Sequence, residues 1–383
     1  MSDARWMDRA LAQADRALGN TAPNPSVGAV VVRDGAVIGE GFTQRVGGPH
    51  AERRALEDCR ERGHDPAGAT MYVTLEPCRH HGRTPPCTEV ILESGLARVV
   101  VGVLDPFPAM RGQSVAYLRE QGVEVTLGVR EEACARRVLG FARVLSAGLP
   151  EVTCKAGISA DGRIATEAGE SRWITSPEAR QDGHRLRASH DAVLVGIGTA
   201  LADDPQLTVR LPTTDPFGAV DRKPVVPVVL DTDLRLPPDA RLLTGGRAIV
   251  ICANDVPDRA LAARIVRVPR LATGGLDLEA ALRALAAHDL HRILVEGGGL
   301  VHRGLLDVGL VDNVALYVAG KLIPGGRPWI GGAPLGALGN AVQMELSGVC
   351  RVGPDVRLSY RLEHALAPDP LGPLRSPAES PTR

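Results

Sequence analysis

The chain has 383 residues, of which 44% are hydrophobic and 23% charged, and its formal net charge is −1. This length favours two domains, and the balanced charge gives no electrostatic support for nonspecific binding to nucleic acid or to a membrane surface. No apolar run reaches the roughly 18 residues of a membrane span. The N-terminal segment has an amphipathic helical pattern and lacks the apolar core of a signal peptide, so we expect a cytoplasmic protein.

The first 147 residues predict a sheet covered by helices. Apolar residues recur at helical spacing over residues 3–18, and VGAVVVRDGAVIGEGF then indicates a β-hairpin that turns at Asp34 and Gly35. Further helices are predicted at about 50–62, 87–94, 113–121 and 131–145, and further strands at ATMYVTL, RVVVGV and EVTLGV. The alternation of helices and strands after the hairpin indicates an α/β fold.

A second α/β pattern follows a linker predicted at residues 146–152, where helix periodicity ends at Gly148 and Pro150. Strands are predicted at 152–158, 192–196, 225–230, 247–252, 292–295, 313–318 and 355–361, helices at 176–188, 277–287 and 299–307, and loops at 211–224 and 231–239. The Pro- and Ser-rich end is expected to be disordered. We therefore expect one domain over residues 1–147, a second over 151–365, and a tail over 366–383.

The seven cysteines are scattered and odd in number, which does not predict a disulfide framework. Cys78 and Cys87 stand out because they lie in TLEPCRHHGRTPPC, at the end of a predicted strand and at the start of a predicted helix. The other five are expected to be small buried side chains or free thiols.

His50 and Glu52, at the start of an earlier predicted helix, complete a group with metal-binding and proton-transfer chemistry. One histidine and two cysteine thiolates fit a tetrahedral zinc whose fourth position holds water, which zinc activates for attack. The helix N-termini help to keep the thiols deprotonated. Glu52 would then move protons without binding the metal, which is the H-x-E … P-C-x-x-C arrangement of zinc deaminases.

Eight residues separate Cys78 from Cys87, rather than two, and this spacing leaves a second arrangement open. His80 or His81 could be a fourth ligand, which would close the zinc site and make it structural. That arrangement gives Glu52 no role, so we favour the catalytic one. His80 and His81 are otherwise interpreted as pocket residues or as polar loop residues.

The second half lacks a G-x-G-x-x-G segment after an early strand, which disfavours a Rossmann domain. In RILVEGGGLVHRGLL a strand ends at Glu296, and three glycines and a helix follow, which favours a phosphate cradle, although a packing turn has the same pattern. VGIGTALADDPQLTVR is interpreted as another glycine-rich turn, with Thr199 and Asp203 as polar contacts. Arg187 and Arg210 could clamp a phosphate, but from the residues alone two surface arginines are favoured.

Several segments together resemble one family. TAPNPSVGAVVV, PHAE, TLEPCRHHGRTPPC, GISADGRIA, GESRWITS, ALADDPQLTVR and VEGGG resemble, in order and over about residues 3–362, the bifunctional riboflavin-biosynthesis deaminase–reductases. The resemblance implies a cytidine-deaminase-like α/β/α domain followed by a dihydrofolate-reductase-like α/β domain. It also implies zinc-dependent deamination of a diamino-ribosylamino-pyrimidinone 5′-phosphate, and then NADPH-dependent reduction of the ribose to ribityl.

The resemblance also implies roles for individual residues. His50, Cys78 and Cys87 match the zinc ligands, Glu52 matches the proton donor, and Asn24 matches an asparagine that holds the pyrimidine. The NADP-contact positions are Gly157, Trp173, Thr199, Asp203, Thr232 and the segment 298–304, which includes Gly298 and Gly299. The substrate-contact positions are Ser171, Arg187, Leu207, Arg210 and Glu296. The segment DPFPAMRGQS departs from the family pattern at Phe107 and Ser114, which leaves its substrate contacts open but not the zinc chemistry.

Two other functions compete with this one. A zinc deaminase for another nucleobase or for nucleic acid, with a non-catalytic C-terminal domain, would share the metal motif but would normally have a basic face and a C-x-x-C pair. A zinc-stabilised scaffold with a nucleotide-sensing domain would leave Glu52 unexplained. We therefore expect Zn²⁺ and NADPH as cofactors, small phosphorylated pyrimidines as substrates rather than nucleic acid or membranes, and a homo-oligomer. No acid–base residue stands out for the reduction, in which the cofactor would carry the chemistry.

Overall fold

The computed structural model describes residues 2–80, 85–218 and 222–362. The chain divides after Ala147 into two compact units. His81 and the predicted C-terminal tail lie outside the described residues. None of the helices in the described ranges has the length and apolarity that a bilayer crossing requires.

The first unit is a five-stranded sheet with helices packed on it. Its elements are α1 (Asp3–Ala17), β1 (Gly28–Arg33), β2 (Ala36–Phe42), α2 (Ala51–Glu61), β3 (Thr70–Leu75), α3 (Cys87–Glu93), β4 (Arg98–Val103), α4 (Gln113–Glu120), β5 (Glu124–Leu127), α5 (Glu131–Arg137) and α6 (Leu139–Ala147). The strand order is β2-β1-β3-β4-β5. β1 is antiparallel to both of its neighbours, and β3, β4 and β5 run parallel.

Two glycines on β2 allow helix α2 to lie close against the sheet. A Cβ atom at Gly41 would stand 2.6 Å from the backbone nitrogen of Ala55, and one at Gly39 would collide with the Ala55 carbonyl oxygen and with Cys59. A side chain at either position would therefore push α2 outward. The packing fixes the start of α2, where His50 and Glu52 lie.

The second unit is built on a nine-stranded sheet. Its elements are β6 (Glu151–Ser159), β7 (Arg163–Ala165), α7 (Pro177–Ala188), β8 (Ala192–Gly196), α8 (Ile197–Asp203), β9 (Val226–Leu230), β10 (Ile249–Ala253), β11 (Arg264–Val268), α9 (Leu278–Ala286), β12 (Arg292–Val295), α10 (Gly299–Asp307), β13 (Asn313–Ala319), β14 (Arg327–Pro328), β15 (Glu345–Val352) and β16 (Asp355–Arg361). The strand order is β11-β10-β9-β8-β12-β6-β13-β16-β15, and β7 pairs with β14 separately.

The strands from β11 to β13 run parallel, whereas β16 and β15 extend the sheet in antiparallel fashion. Parallel strands end at the same edge of the sheet, so the segments that follow β8, β9 and β12 lie near one another. These segments carry Thr199, Thr232, Gly298 and Gly299, which the sequence analysis assigned to cofactor contacts.

Most predicted elements are confirmed, with four differences. Residues 131–145 form two helices, α5 and α6, because the chain leaves helical geometry at Val138. Thr199 and Asp203 lie on helix α8 rather than in a turn. Strands β7, β11, β14 and β15 are present without having been predicted. The predicted linker at 146–152 is shorter, since α6 continues to Ala147 and β6 begins at Glu151.

Candidate active sites

His50, Cys78 and Cys87 come together in the first unit. His50 precedes α2, Cys78 follows β3 by three residues, and Cys87 is the first residue of α3. Nδ1 of His50 lies 3.5 Å from Sγ of Cys78 and 3.4 Å from Sγ of Cys87. Ligand atoms of a tetrahedral zinc with these donors stand about 3.6 Å apart, given Zn–S and Zn–N bonds of about 2.3 and 2.1 Å. The residues present therefore fit zinc.

The charge state of Cys78 also suits a metal ligand. The backbone N–H of Cys87, at the start of α3, donates to Sγ of Cys78 at 3.4 Å. Hydrogen bonding from Cys87 and from His50 lowers the pKa of Cys78 to about 4. The thiolate at Cys78, together with burial, raises the pKa of Cys87 well above its usual value. A bound cation would favour ionisation of both thiols.

Glu52 lies beside this cluster in the first turn of α2, and only 4% of its surface is exposed. Burial and the negative charge of Cys78 raise the pKa of Glu52 to about 7. A carboxyl group that is neither fully ionised nor fully protonated near neutral pH can both take up and release protons.

His80 does not join the cluster. Within the described residues the group that could hold a metal consists of His50, Cys78 and Cys87, and His80 is exposed. His81 lies outside the described residues. The geometry thus gives no support to a closed site in which His80 is the fourth ligand.

Asn24 lies in a turn that is closed by a hydrogen bond from its backbone N–H to the carbonyl oxygen of Thr21, 2.9 Å away. It is half-buried, and its side chain makes no hydrogen bond within the described residues. Its side-chain amide thus has no competing partner there.

Glu76 is a residue of the first unit that sequence reasoning missed. The residue is only 3% exposed, and its carboxylate accepts backbone hydrogen bonds from Asp105, Gly112 and Ser114 at 3.0, 2.8 and 3.0 Å. The buried carboxylate thereby ties the chain next to Cys78 to the segment that departs from the family pattern. The sequence did contain a signal, because Glu76 directly follows an apolar strand and precedes Pro77. A carboxylate at such a position is expected to be buried, and buried carboxylates occur mainly where they have partners.

The second unit contains a cavity of about 1430 Å³. Of the second-unit residues that the resemblance singles out, all but Leu207 and Arg303 line it: Gly157, Ser171, Trp173, Arg187, Thr199, Asp203, Arg210, Thr232, Glu296, Gly298, Gly299, Leu300, Val301, His302 and Gly304. The side chain of Leu207 is buried in the hydrophobic core instead. Any contact of Leu207 with a substrate would have to come from its backbone.

Glu296 is held at the end of β12 by two cations. Nε and Nη2 of Arg187 donate to its two carboxylate oxygens at 2.7 and 2.8 Å, and Nζ of Lys155 lies 4.0 Å from Oε2. Although burial acts in the opposite direction, the charges of Arg187 and Lys155 hold the pKa of Glu296 well below its usual range. The pairing leaves less of the Arg187 guanidinium for a phosphate than a free arginine would offer.

Lys155 is a second residue that sequence reasoning missed. It lies on β6, a central strand of the sheet, and lines the cavity. A lysine in the middle of the apolar strand EVTCKAGIS was the available signal, because lysine is rarely placed in a strand interior without a partner or a function.

The glycines after β12 allow both close backbone packing and a phosphate cradle, the two interpretations that the sequence left open. Cβ atoms at Gly297 and Gly299 would stand 2.6 and 2.7 Å from the backbone nitrogens of Gly196 and Gly331, so these two glycines permit close packing. Gly298 lines the cavity and donates its N–H to Oγ1 of Thr199 at 3.1 Å. The first turn of α10 then presents backbone N–H groups at the cavity, which fits the phosphates of a dinucleotide.

Trp173 lies on the rim of the cavity, and 63% of its surface is exposed. The guanidinium of Arg180 stands 4.3 Å from the centre of its ring, and Nζ of Lys321 donates to its carbonyl oxygen at 2.6 Å. These contacts fix a flat aromatic surface at the entrance, which suits stacking against a planar ring.

Comparisons with known proteins agree with both sites. The family model of the cytidine and deoxycytidylate deaminase zinc-binding region matches residues 1–103, and the RibD C-terminal domain matches residues 150–358. The latter match disfavours a deaminase with an unrelated, non-catalytic C-terminal domain.

Curated relatives match along almost their whole length. The riboflavin biosynthesis protein RibD of Escherichia coli (strain K12) is 38% identical over 366 residues, covering 94% of this chain and 99% of that protein. The RibD of Actinobacillus pleuropneumoniae is 37% identical over 369 residues, covering 94% and 95%.

Solved structures of related proteins also match this chain along almost its whole length. Acinetobacter baumannii RibD, form 1, has a TM-score of 0.81 at 36% identity, covering 94% of this chain and 98% of that chain. A diaminohydroxyphosphoribosylaminopyrimidine deaminase/5-amino-6-(5-phosphoribosylamino)uracil reductase from Thermotoga maritima has the same TM-score, identity and coverage.

The predicted fold class, a cytidine-deaminase-like domain followed by a reductase domain, is thus confirmed. The expected cofactors, zinc and NADPH, are those of such an enzyme, and the residues of both sites fit them. On these grounds the chain belongs to the RibD family and is a bifunctional deaminase and reductase of riboflavin biosynthesis.

Proposed function

We propose that the first unit deaminates 2,5-diamino-6-(5-phosphoribosylamino)pyrimidin-4(3H)-one and that the second unit reduces the ribosyl group of the product, 5-amino-6-(5-phosphoribosylamino)uracil, to ribityl. The observation that carries the proposal is the presence of two separate sites in one chain: a His-Cys-Cys cluster beside a buried glutamate, and a large cavity with a glycine-rich helix start. We assign deamination to residues 1–147 and reduction to residues 151–365.

In the deaminase site, His50, Cys78 and Cys87 would hold zinc, and Asn24 would hold the pyrimidine. Bound zinc would lower the pKa of its water and so supply hydroxide for attack on C2 of the pyrimidine, the guanidine-type carbon that carries the 2-amino group. The carboxylate of Glu52 accepts the proton that this attack releases. It then delivers the proton to the departing amino group, which leaves as ammonia. Its burial in the first turn of α2 keeps bulk water away from this transfer.

In the reductase site, the cofactor contacts would come from Gly157, Trp173, Thr199, Asp203, Thr232, Gly298 and Gly299. The substrate contacts would come from Ser171, Arg187, Leu207, Arg210 and Glu296. NADPH, when bound, supplies the hydride. Reduction of a ribosyl group to ribityl also requires a proton at the ring oxygen as the ring opens. Nζ of Lys155, which lines the cavity 4.0 Å from Glu296, is the group we assign to deliver it.

We further propose a cytoplasmic homo-oligomer that acts on small phosphorylated pyrimidines and has no nucleic-acid or membrane partner. The near-zero net charge supports the choice of substrates. Strand β15 supports self-association: it lies at an edge of the large sheet, and Leu346 and Val349 on it are 52% and 63% exposed. Unpaired edges with apolar side chains are common sites of strand pairing between chains.

Removal of zinc tests the proposal. Treatment with a chelator should stop ammonia release, and with it the loss of NADPH absorbance from the diamino substrate. The same zinc-free protein should still oxidise NADPH when the deaminated substrate is supplied. Undiminished ammonia release without zinc would contradict the assignment of the deaminase site, and failure to reduce the deaminated substrate at any zinc level would contradict that of the reductase site.

A further inference from the structure

His184 lies on α7, one helical turn before Arg187, and lines the same cavity. Its Nδ1 lies 3.3 Å from the backbone nitrogen of Arg210 and accepts that N–H. A neutral histidine that accepts at Nδ1 carries its proton on Nε2, which is then a donor. Within the described residues Nε2 has no hydrogen-bond partner. The ring therefore offers an unused N–H group at the cavity wall.

The surroundings keep this ring uncharged. Burial and the positive charges of Arg187 and Arg210 lower the pKa of His184 to about 4. At neutral pH the ring is thus a neutral donor with one fixed tautomer, because the backbone N–H of Arg210 occupies Nδ1.

The adjacent wall carries an excess of positive charge. The carboxylate of Glu296 is shared between Arg187 and Lys155. The Arg210 guanidinium donates to Oγ1 of Thr208 at 3.2 Å and has no carboxylate partner among the described residues. Three cations thus face one carboxylate, which leaves two positive charges unbalanced. Arg210, whose backbone N–H His184 accepts, is the cation that does not contact this carboxylate. A substrate phosphate has oxygens that only accept hydrogen bonds, and it matches both the charge and the free donors.

We propose that His184 is a substrate-contact residue of the reductase site, which donates its Nε2–H to the substrate phosphate while its Nδ1 positions the backbone of Arg210. The proposal rests on the proposed reductase function and extends it to a residue that neither the resemblance nor the sequence patterns assigned. It predicts that His184 discriminates between phosphorylated and phosphate-free substrates.

The test compares KM for the deaminated, phosphorylated substrate with KM for the same ribosylaminouracil without its phosphate. His184→Leu should raise the first KM about tenfold, the effect of losing one hydrogen bond to a charged group, and change the second less than about twofold. The Kd for NADPH, measured on the same protein, should not change and reports that the unit is folded. His184→Ala, measured in parallel, gives the same readout if the leucine variant does not fold.

Two further variants complete the experiment. His184→Gln should recover most of the lost affinity, since its amide can accept from the Arg210 N–H and still donate. Gln181→Leu is the matched control, because Gln181 is exposed on the same helix and does not line the cavity. Inorganic phosphate, used as a competitive inhibitor, should bind more weakly to His184→Leu than to Gln181→Leu.

The outcomes separate this proposal from the proposed function. If Arg210→Ala raises KM for the phosphorylated substrate but His184→Leu and His184→Ala do not, the phosphate site stands and the role of His184 is wrong. Equal increases in KM for both substrates in the His184 variants would show a general structural effect and would also overturn it. If Arg210→Ala has no effect either, the placement of the phosphate in the proposed function fails together with the role of His184.

Discussion

Arg187 and Glu296 form a two-point ion pair, with N···O distances of 2.7 and 2.8 Å. Their side chains are only 14% and 10% exposed, so little water screens the interaction. The pair joins helix α7 to the end of β12 and forms part of the cavity wall.

Glu296→Gln should destabilise the second unit. Arg187 would then keep a buried charge without a carboxylate, and loss of one partner of a buried pair costs on the order of 3–5 kcal/mol. Asp258→Asn is the control, because Asp258 is 99% exposed in its pair with Arg267 and such pairs contribute little. Denaturant unfolding of the two variants measures the difference, and equal losses of unfolding free energy would contradict the importance of burial.

Glu76→Gln should destabilise the first unit without releasing zinc. The carboxylate accepts backbone N–H groups at both oxygens, whereas one end of an amide would present N–H groups to those donors. Lost hydrogen bonds to a charged group suggest a cost of about 1.5–3 kcal/mol. Glu93→Gln, at an exposed position on α3, should cost much less. Unfolding with parallel zinc analysis tests this, and full stability in Glu76→Gln would show that the carboxylate is dispensable.

The buried side chain of His190 should make the second unit less stable in acid. Burial and the charge of Arg292 lower the pKa of His190 from 6.5 to about 3, while Nε2 faces Oγ1 of Thr153 at 3.1 Å. Below pH 6.5 the unfolded chain gains a proton that the folded chain does not, so the stabilisation is present above that pH and decreases as pH falls toward 3. From about pH 7 to about pH 5 the contribution should fall by about 2 kcal/mol.

The matched variant for this effect is His190→Gln, which has no titrating ring. Its unfolding free energy should depend less on pH over the same interval, whatever its absolute stability. If wild type and variant lose stability with identical slopes, His190 is not the source of the pH dependence.

Cys78→Ser should lose most of the zinc and the deaminase activity, because a hydroxyl supplies neither the charge nor the affinity of a thiolate. Cys350→Ser, at an exposed cysteine outside the cluster, should retain both. Elemental analysis and ammonia release measure the two properties. A full zinc content in Cys78→Ser would overturn its assignment as a ligand.

Strong local sequence patterns predicted most of the fold. The elements that were not predicted were missed for physical reasons. The hairpin at Asp34 and Gly35 was predictable because both residues take positive φ values, which Asp and Gly tolerate. Strand β15 was not, because both of its faces are largely exposed and its apolar residues lack a clear alternation. Helix α8 contains Gly198 and has only seven residues, so its glycine suggested a turn.

The residues of the candidate sites also fall into those that the sequence predicted and those that it did not. The zinc cluster was predictable because His50, Glu52, Cys78 and Cys87 are rare residue types in a recognisable order. Lys155 was conspicuous as a charge within an apolar strand, but its role was not predictable, and neither was that of His184, because both roles depend on partners far along the chain. Lys155 acquires its context from Glu296, and His184 acquires a fixed tautomer from the backbone of Arg210.

The most direct test of two independent sites in one chain is a paired assay of Glu52→Gln. This variant should keep its zinc and lose ammonia release by about 100- to 10,000-fold, because an amide cannot carry the proton. With the diamino substrate, the loss of NADPH absorbance should slow in proportion to ammonia release, yet the variant should reduce the deaminated substrate at the wild-type rate. Asp203→Ala should show the opposite pattern, with weaker NADPH binding and normal ammonia release. Failure of Glu52→Gln to reduce the deaminated substrate, or loss of ammonia release in a folded Asp203→Ala protein, would contradict the account.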